Sequence, residues 1–232
     1  MTTSQAALQF VRHTGIAAPF LQPDVEGEFI APVGPDLHDL HDVHQDRSAI
    51  VLDAHTHDGA GHGQHAFQGW RYRLDGSENP DFVLNQGVYR RATILLAGRN
   101  FGQGSLQGYG VIRLRQCGIR VVIAPSFGPV FRDDCFDYGL LPVTLPEHVV
   151  RGLADAVEAN PEAQMTVDLV TQTVTHPGLE PLPFEIEARR RLNLLRGSNE
   201  PDEQLEHSDS AAAMRSRDQR ERPWIYRDGA GR

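Results

Sequence analysis

Short, continuous apolar runs mark the centre of the chain. Residues 93–97, 120–124 and 140–145 are predominantly aliphatic. Runs of this kind, without alternation, are typical of strands that are buried on both faces of a parallel sheet. The stretches between them, 111–117 and 127–138, follow glycine- or proline-containing breaks and have helix-like patterns. The centre of the chain therefore predicts alternating strands and helices.

The pattern changes period toward the C-terminus. A helix is predicted over 146–160, because the proline that opens this stretch fits the first turn of a helix. Residues 165–170 and 172–175 alternate apolar with polar side chains, which predicts a pair of half-exposed strands. A short arginine-rich helix follows over 188–195, and 16–20 is a strand candidate near the N-terminus. Together these elements predict an α/β domain with parallel strands at its centre.

Two segments do not have such periodic patterns. Residues 33–69 are rich in His, Asp and Gly, which predicts a long polar loop with one candidate strand at 48–54. Residues 198–232 are dominated by charged and polar side chains, which predicts a disordered tail. Within that tail, the apolar stretch 223–226 could dock onto a partner or onto the domain, or simply remain in a loose tether.

Charge and composition exclude several classes of protein. The net charge of −9 and the isoelectric point near 5.6 leave no basic footprint for nucleic acid. No run approaches the roughly 20 apolar residues that a membrane span requires, and the N-terminus has no apolar leader, so we expect a cytoplasmic protein. The chain has only 2 cysteines, too few to hold an iron–sulfur cluster or a four-ligand zinc site by themselves.

The segment best suited to chemistry is 100–105, which reads Asn-Phe-Gly-Gln-Gly-Ser between a predicted strand and a predicted helix. Glycines there let the backbone come close to a ligand, and the N-terminus of the helix offers free N–H groups and a positive dipole end. Ser105 is well placed to meet an anionic substrate. Taken alone the motif is open to two interpretations, because glycine-rich turns between strands and helices also occur as purely structural features.

Six short motifs occur in order along the chain. They are Arg-His-Thr-Gly at 12–15, Trp-Arg-Tyr at 70–72, Asn-Pro-Asp-Phe-Val-Leu-Asn at 79–85, the segment 100–105, Val-Val-Ile-Ala-Pro-Ser-Phe at 121–127 and Gly-Leu-Leu-Pro-Val at 139–143. Together they resemble one family, the small subunit of isopropylmalate isomerase (3-isopropylmalate dehydratase), in the aconitase superfamily. The resemblance covers about residues 10–197.

The resemblance implies a three-layer β/β/α swivelling domain, like the aconitase C-terminal domain, over residues 1–197. It also implies a separate large subunit that carries a [4Fe–4S] cluster, so that this chain itself binds no cofactor. The two subunits, as a heterodimer or a larger assembly, would dehydrate and rehydrate a small hydroxylated di- or tricarboxylic acid. In that family the small subunit supplies a serine base and contacts to the substrate.

Carried over to this chain, the resemblance makes Ser105 the base and places Gly104, Leu106 and Gln107 beside the substrate. The family reads Gly-Ser-Ser-Arg-Glu-His where residues 104–109 read Gly-Ser-Leu-Gln-Gly-Tyr. Gln107 thus replaces an arginine that grips a substrate carboxylate, and a neutral amide lacks that bidentate, charged grip. Removing one partner of a buried charge pair costs about 2–5 kcal/mol. Either the substrate has changed, or the chain is a non-catalytic partner that keeps the fold.

A second departure lies at 24–32, where the family pattern is Asn-Val-Asp-Thr-Asp-x-Ile-x-Pro. Glu26 and Glu28 keep the carboxylates but lengthen them, while Gly27 removes a threonine hydroxyl. Glu28 is a predicted substrate contact. Arg99 stands where the family often has Glu, and it either restores positive charge near Ser105 or is an ordinary surface arginine.

The histidine-rich insert leaves two alternatives open. His38, His41 and His44 recur at intervals of three, so a helix could bring two of them together as metal ligands. Otherwise the insert is a solvated polar loop. In the family this neighbourhood includes a flexible loop that helps to select the substrate side chain, so its expansion favours a changed substrate over a new metal site.

Overall fold

Seven strands form one sheet in the part of the chain that the structure describes. The computed structural model describes residues 9–31 and 66–197. The strand order is β4-β3-β2-β1-β5-β6-β7. The strands are β1 Arg12–Phe20, β2 Ala92–Ala97, β3 Val121–Ala124, β4 Leu141–Thr144, β5 Gln164–Asp168, β6 Thr173–Thr175 and β7 Leu182–Pro183.

The sheet has a parallel half and an antiparallel half that meet at β1. Strands β1, β2, β3 and β4 pair in parallel, whereas β5 pairs antiparallel with β1, β6 with β5 and β7 with β6. All four residues of β3 are buried, while β5 alternates between buried and more exposed side chains. The predicted parallel centre and the predicted half-exposed pair of strands are both confirmed.

Six helices and two short 3₁₀ segments surround this sheet in the described residues. Helices α3, α4 and α5 follow β2, β3 and β4, as in a parallel α/β arrangement, and α5 packs against β1, β2 and β3. The helices are α1 Gly27–Ile30, α2 Gln68–Arg71, α3 Gln107–Gln116, α4 Pro129–Asp137, α5 Glu147–Ala159 and α6 Ala188–Arg196, and the 3₁₀ segments are Val83–Asn85 and Gly87–Arg91. None of these helices has the length and apolar content that a membrane span needs.

Several element boundaries differ from the sequence prediction, and three of them have a clear physical reason. Helix α3 begins at Gln107 rather than at 111, because its glycine-containing first turn packs against α1, where a Cβ on Gly110 would lie 3.6 Å from the Gly27 Cα. Strand β5 ends at Asp168, since its carboxylate accepts hydrogen bonds from the next two available N–H groups and starts a turn. Strand β1 starts at Arg12, ahead of the predicted 16, because its first half pairs with β5.

The predicted polar insert ends earlier than expected. Ala66 and Phe67 are fully buried in the core, and α2 begins at Gln68. The candidate strand at 48–54, the histidine spacing within the insert and the tail at 198–232 lie outside the described residues. The proposed domain limits therefore remain a prediction.

His13, on β1, is expected to make the free energy of unfolding depend on pH. Its Nε2 lies 2.7 Å from Thr93 Oγ1. Burial, together with the positive charges of Arg120 and Arg115, lowers the pKa of His13 to about 4. Since the unfolded value is near 6.5, protonation favours the unfolded chain. The stabilisation is thus complete above pH 6.5 and is lost as the pH falls toward 4.

We expect protonation of His13 to lower the free energy of unfolding by on the order of 2 kcal/mol, after a discount for the partial solvent exposure of this side chain. Urea unfolding of the wild type and of His13→Gln, measured from pH 7 to pH 4, checks it. The glutamine keeps a polar group near Thr93 but does not titrate in this range, so the variant should lose stability less steeply. Parallel curves for the two proteins would contradict the assignment to His13.

Candidate active site around Ser105

The segment 100–105 is held between two other segments at the carboxyl ends of the parallel strands. Gly102 N donates to Val25 O at 2.7 Å, and Gly27 N donates to Gln103 O at 2.7 Å. On the other side, Phe101 N donates to Ser126 O at 3.0 Å. Segments that follow β1, β2 and β3 therefore meet at this edge, which is where parallel α/β sheets bind their ligands.

Two glycines are required for this close packing. Gly102 has a φ of +74°, and a Cβ there would lie 2.2 Å from the ring of Phe131. Gly104 has a φ of +75°, and a Cβ there would lie 2.8 Å from Glu26 Oε2. The left-handed backbone favours glycine at both positions, and at Gly102 the buried ring of Phe131 also leaves no space for a side chain. The motif that looked ambiguous in the sequence is therefore a tight turn that presents Ser105 beside the Glu26–Glu28 segment.

Ser105 and Glu28 form a hydrogen-bonded pair across this edge. Ser105 Oγ donates to Glu28 Oε2 at 2.7 Å, although the two residues are separated by 77 positions in the sequence. Both residues are exposed. A carboxylate can only accept hydrogen bonds, so the serine proton points toward Glu28 and the remaining lone pairs of Oγ are left for another partner. The structure thus brings two predicted site residues into contact.

Because Gly27 has no side chain, the α1 segment can lie directly against the backbone of the turn that carries Ser105. A Cβ on Gly27 would lie 2.4 Å from Ser105 O and 2.8 Å from Gln107 N, and both are backbone atoms. The threonine of the family pattern does not fit in this arrangement. The sequence indicated only the loss of a hydroxyl at this position and missed the steric role of Gly27. The sequence signal for this role was the glycine at position 27, where the family pattern has threonine.

Leu106 links Ser105 to the following helix. It has a φ of +54°, in the left-handed region, and is the residue immediately before α3. Left-handed leucine is uncommon and costs free energy unless its surroundings impose it. Here the approach of Gly27 to the Ser105 and Gln107 backbone supplies that constraint. Leu106 therefore shapes the turn next to Ser105.

Gln107 uses both ends of its amide within the protein. Its Nε2 donates to Gly104 O at 2.8 Å, and its Oε1 accepts from Phe131 N at 2.9 Å. Phe131 lies in the first turn of α4, where N–H groups have no partner within the helix. Gln107 thus ties the serine loop to the N-terminus of α4. An arginine can only donate, so it could satisfy Gly104 O but not Phe131 N.

The family's arginine is therefore expected to destabilise this chain when it is placed at this position. Gln107→Arg should lower the free energy of unfolding by about 1–2 kcal/mol, because the Phe131 N–H loses its acceptor. Urea unfolding measures the change. Gln164→Arg, at the exposed start of β5, is the matched control and should have little effect. Equal stabilities of the two variants would show that the Gln107 bridge contributes nothing.

Arg99 lies at the base of the same loop in a surface network. Its Nη2 lies 3.3 Å from Asp24 Oδ2, and Asn100 Nδ2 donates to Asp24 Oδ1 at 2.7 Å. Ser126 Oγ donates to Asn100 Oδ1 at 2.9 Å, which links this network to the segment after β3. Exposed ion pairs contribute only about 0–1 kcal/mol. Arg99 is directed toward Asp24 as an exposed arginine, and its action on Ser105 stays a prediction.

The cysteines do not fit as ligands of an iron–sulfur cluster. Burial raises the pKa of both the Cys117 and the Cys135 thiol. The chain has only 2 cysteines, fewer than the thiolates that an iron–sulfur cluster requires. Among residues 9–31 and 66–197, no three His, Cys, Asp or Glu side chains come together as a candidate metal site.

Comparison with known proteins agrees with this fold and with the sequence resemblance. The aconitase C-terminal domain model matches residues 51–148, and the LeuD_N model matches residues 151–188. A 3-isopropylmalate dehydratase small subunit of Rhodospirillum centenum is 39% identical over 216 residues, which cover 93% of this chain and 98% of that relative. The one of Gluconacetobacter diazotrophicus is 42% identical over 219 residues, which cover 94% and 97%.

A solved structure supports the same fold at lower sequence identity. The crystal structure of 3-isopropylmalate dehydratase from Methanocaldococcus jannaschii has a TM-score of 0.53 with 21% identity, and the match covers 88% of this chain and 99% of that one. The expected mixed α/β fold of the aconitase C-terminal type is thereby confirmed. With relatives at about 40% identity over nearly their whole length, this chain belongs to the 3-isopropylmalate dehydratase small-subunit family.

Proposed function

We propose that this chain is the small subunit of a hydro-lyase of the 3-isopropylmalate dehydratase type, and that Ser105, assisted by Glu28, is the base it supplies. The observation that carries the proposal is the 2.7 Å hydrogen bond from Ser105 Oγ to Glu28 Oε2. A lone serine hydroxyl is a poor base near neutral pH, and an adjacent carboxylate is one way to activate it.

The proton transfer follows from this geometry. Ser105 Oγ accepts a proton from a carbon next to the hydroxyl-bearing carbon of the substrate, and its own proton passes to Glu28. The electron pair of the broken C–H bond forms the alkene, and the hydroxyl leaves from the neighbouring carbon and takes up a proton from an acid outside this chain, so that it departs as water. In the reverse direction Ser105 delivers a proton to one alkene carbon and is reprotonated by Glu28, while a water molecule gives its hydroxyl to the neighbouring carbon and its remaining proton returns to that outside group.

The charges around Ser105 indicate which parts of the substrate this chain does not bind. Glu26 and Glu28 place two carboxylates beside the turn, as shown by the close approach of Glu26 to Gly104. Gln107 is neutral, and Arg99 is directed toward Asp24. Like charges repel in a site that excludes water. We infer that the large subunit provides the cations that hold the substrate carboxylates.

The large subunit is also the proposed holder of the iron–sulfur cluster. This inference rests on the family and on the sequence, whose 2 cysteines are too few to hold the cluster by themselves. The role of this chain is then to close over the partner, to orient Ser105 and Glu28, and to exclude water from the reacting carbons. The assembly would act on a hydroxylated di- or tricarboxylic acid.

Anaerobic co-expression with the large subunit encoded in the same genome tests this function. We would follow alkene absorbance with isopropylmalate and a panel of related hydroxy acids. Alkene formation that depends on both subunits supports the hydro-lyase. If a cluster-loaded complex of the two chains left every acid unchanged, the chain would instead be the non-catalytic partner suggested by the missing arginine at Gln107.

A further inference from the structure

The first turn of α4 receives its cap from outside the helix. A capping side chain ordinarily precedes the helix and accepts a hydrogen bond from the N–H of the second or third helical residue. The residue before α4 is Gly128, which has no side chain and makes no such bond. A Cβ on Gly128 would lie 2.5 Å from Gly102 O and 2.7 Å from Gln107 Oε1. The usual capping residues therefore do not fit at position 128, and Gln107 Oε1 takes the place of the capping oxygen.

The contact between Gln107 and α4 has the geometry of a helix cap. Gln107 Oε1 accepts from Phe131 N at 2.9 Å, and Phe131 is the third residue of α4. Phe131 is fully buried, so its N–H group needs an acceptor within the protein. Its ring also packs edge-on against Phe101, with centroids 5.5 Å apart. The start of α4 is thus fixed to the serine loop and gives the Gln107 amide a rigid support.

The other end of the same amide holds the peptide unit that precedes Ser105. Gln107 Nε2 donates to Gly104 O at 2.8 Å. A peptide unit is planar and joins the carbonyl of one residue to the N and Cα of the next. The orientation of Gly104 O therefore sets the direction in which the chain enters Ser105. Such control matters here, because Ser105 lies between two left-handed residues, Gly104 with a φ of +75° and Leu106 with a φ of +54°.

We propose that Gln107 is a positioning residue of the hydro-lyase, which links the fixed start of α4 to the peptide before Ser105 and so holds its Oγ toward Glu28. The inference rests on the function proposed above. Ser105 Oγ lies 2.7 Å from Glu28 Oε2, and a rotation of the preceding peptide would separate the two atoms. Position 107 then acts through Ser105 and not on a substrate carboxylate, so the missing arginine is compatible with turnover.

Gln107→Met tests this role, because it keeps the length of the side chain and removes both hydrogen bonds. On the assembled complex we expect kcat to fall by about 10- to 100-fold, as for a small displacement of a catalytic group, and KM to stay within about twofold. In a Ser105→Ala background the same substitution should cause no further loss of kcat, since no base is left to position. A rise in KM, or a further loss in that background, would mean that Gln107 binds the substrate and would overturn the proposal.

Two further variants separate positioning from stability. Gln107→Glu keeps an acceptor for Phe131 N but cannot donate to Gly104 O. It should unfold at a higher urea concentration than Gln107→Met and still have a reduced kcat at saturating substrate. Arg190→Met removes an ion pair with Asp133 at 2.9 Å on α4, away from the serine turn, and should leave kcat unchanged. A wild-type kcat in Gln107→Glu, or an equal loss of kcat in Arg190→Met, overturns the proposal.

Failure of the proposed function gives a different result. If the wild-type complex turns over no acid, the hydro-lyase fails, and amide hydrogen exchange of the full-length chain decides the positioning role. The readout is the segment 100–105, where Phe101 N donates to Ser126 O and Gly102 N to Val25 O. Exchange there should be faster in Gln107→Met than in the wild type or in Arg190→Met. Unchanged exchange in Gln107→Met would show that the amide does not hold the turn.

Discussion

Replacing Ser105 with alanine is expected to lower kcat of the assembled enzyme by about 10³-fold, and Glu28→Gln by about 10²-fold, within the range that a positioned base contributes. Ser105 Oγ would receive the substrate proton, so its removal eliminates the base. Glu28→Gln keeps the size of the side chain and an acceptor oxygen near Ser105 Oγ, which now lies 2.7 Å from a carboxylate. It removes only the group that takes up the serine proton.

The two substitutions should not be additive. If Ser105 and Glu28 act as one unit, Ser105→Ala combined with Glu28→Gln should be about as slow as Ser105→Ala alone. Single-turnover rates of alkene formation measure this. Ser77→Ala is the matched control, because Ser77 Oγ also donates to a carboxylate, Asp75, on the exposed surface. Multiplicative losses in the double variant would mean that Glu28 acts independently of Ser105.

Replacing Gly27 with alanine is expected to lower the free energy of unfolding by about 2–3 kcal/mol, the upper part of the range for overpacking. The added Cβ would lie 2.4 Å from Ser105 O and 2.8 Å from Gln107 N. Backbone atoms cannot rotate away as the end of a flexible side chain can. The turn that carries Ser105 would have to shift, so kcat should fall as well, since small displacements of catalytic groups reduce rates strongly.

Gly152→Ala is expected to have the opposite effect and to raise the free energy of unfolding. Gly152 lies within α5, and a Cβ there would meet nothing within 4 Å. Alanine should stabilise the helix by about 0.5–1 kcal/mol relative to glycine. Thermal and urea unfolding of the two variants compares them directly. A Gly27→Ala protein as stable and as active as the wild type would show that the α1 segment does not restrain the serine loop.

The elements with strong local patterns were predictable from the sequence. Strands β2, β3 and β4 were each found as apolar runs, because a strand buried on both faces leaves few positions for polar side chains. Helix α5 was found from its opening proline. The start of α3 was missed, because Gly108 and Gly110 in its first turn do not favour a helix and are held there by packing.

The sequence by itself determined the family, the order of strands β1 to β6 and helices α3 to α6 along the chain, and the candidate residues Ser105, Glu28 and Gln107. Only the tertiary structure decided which of these are in contact. Ser105 Oγ donates a hydrogen bond to Glu28, which is 77 positions away in the sequence. The side-chain amide of Gln107 forms hydrogen bonds with the backbone of Gly104 and Phe131. Local patterns reflect the burial of each residue, whereas distances between remote residues depend on strand register and on packing between segments.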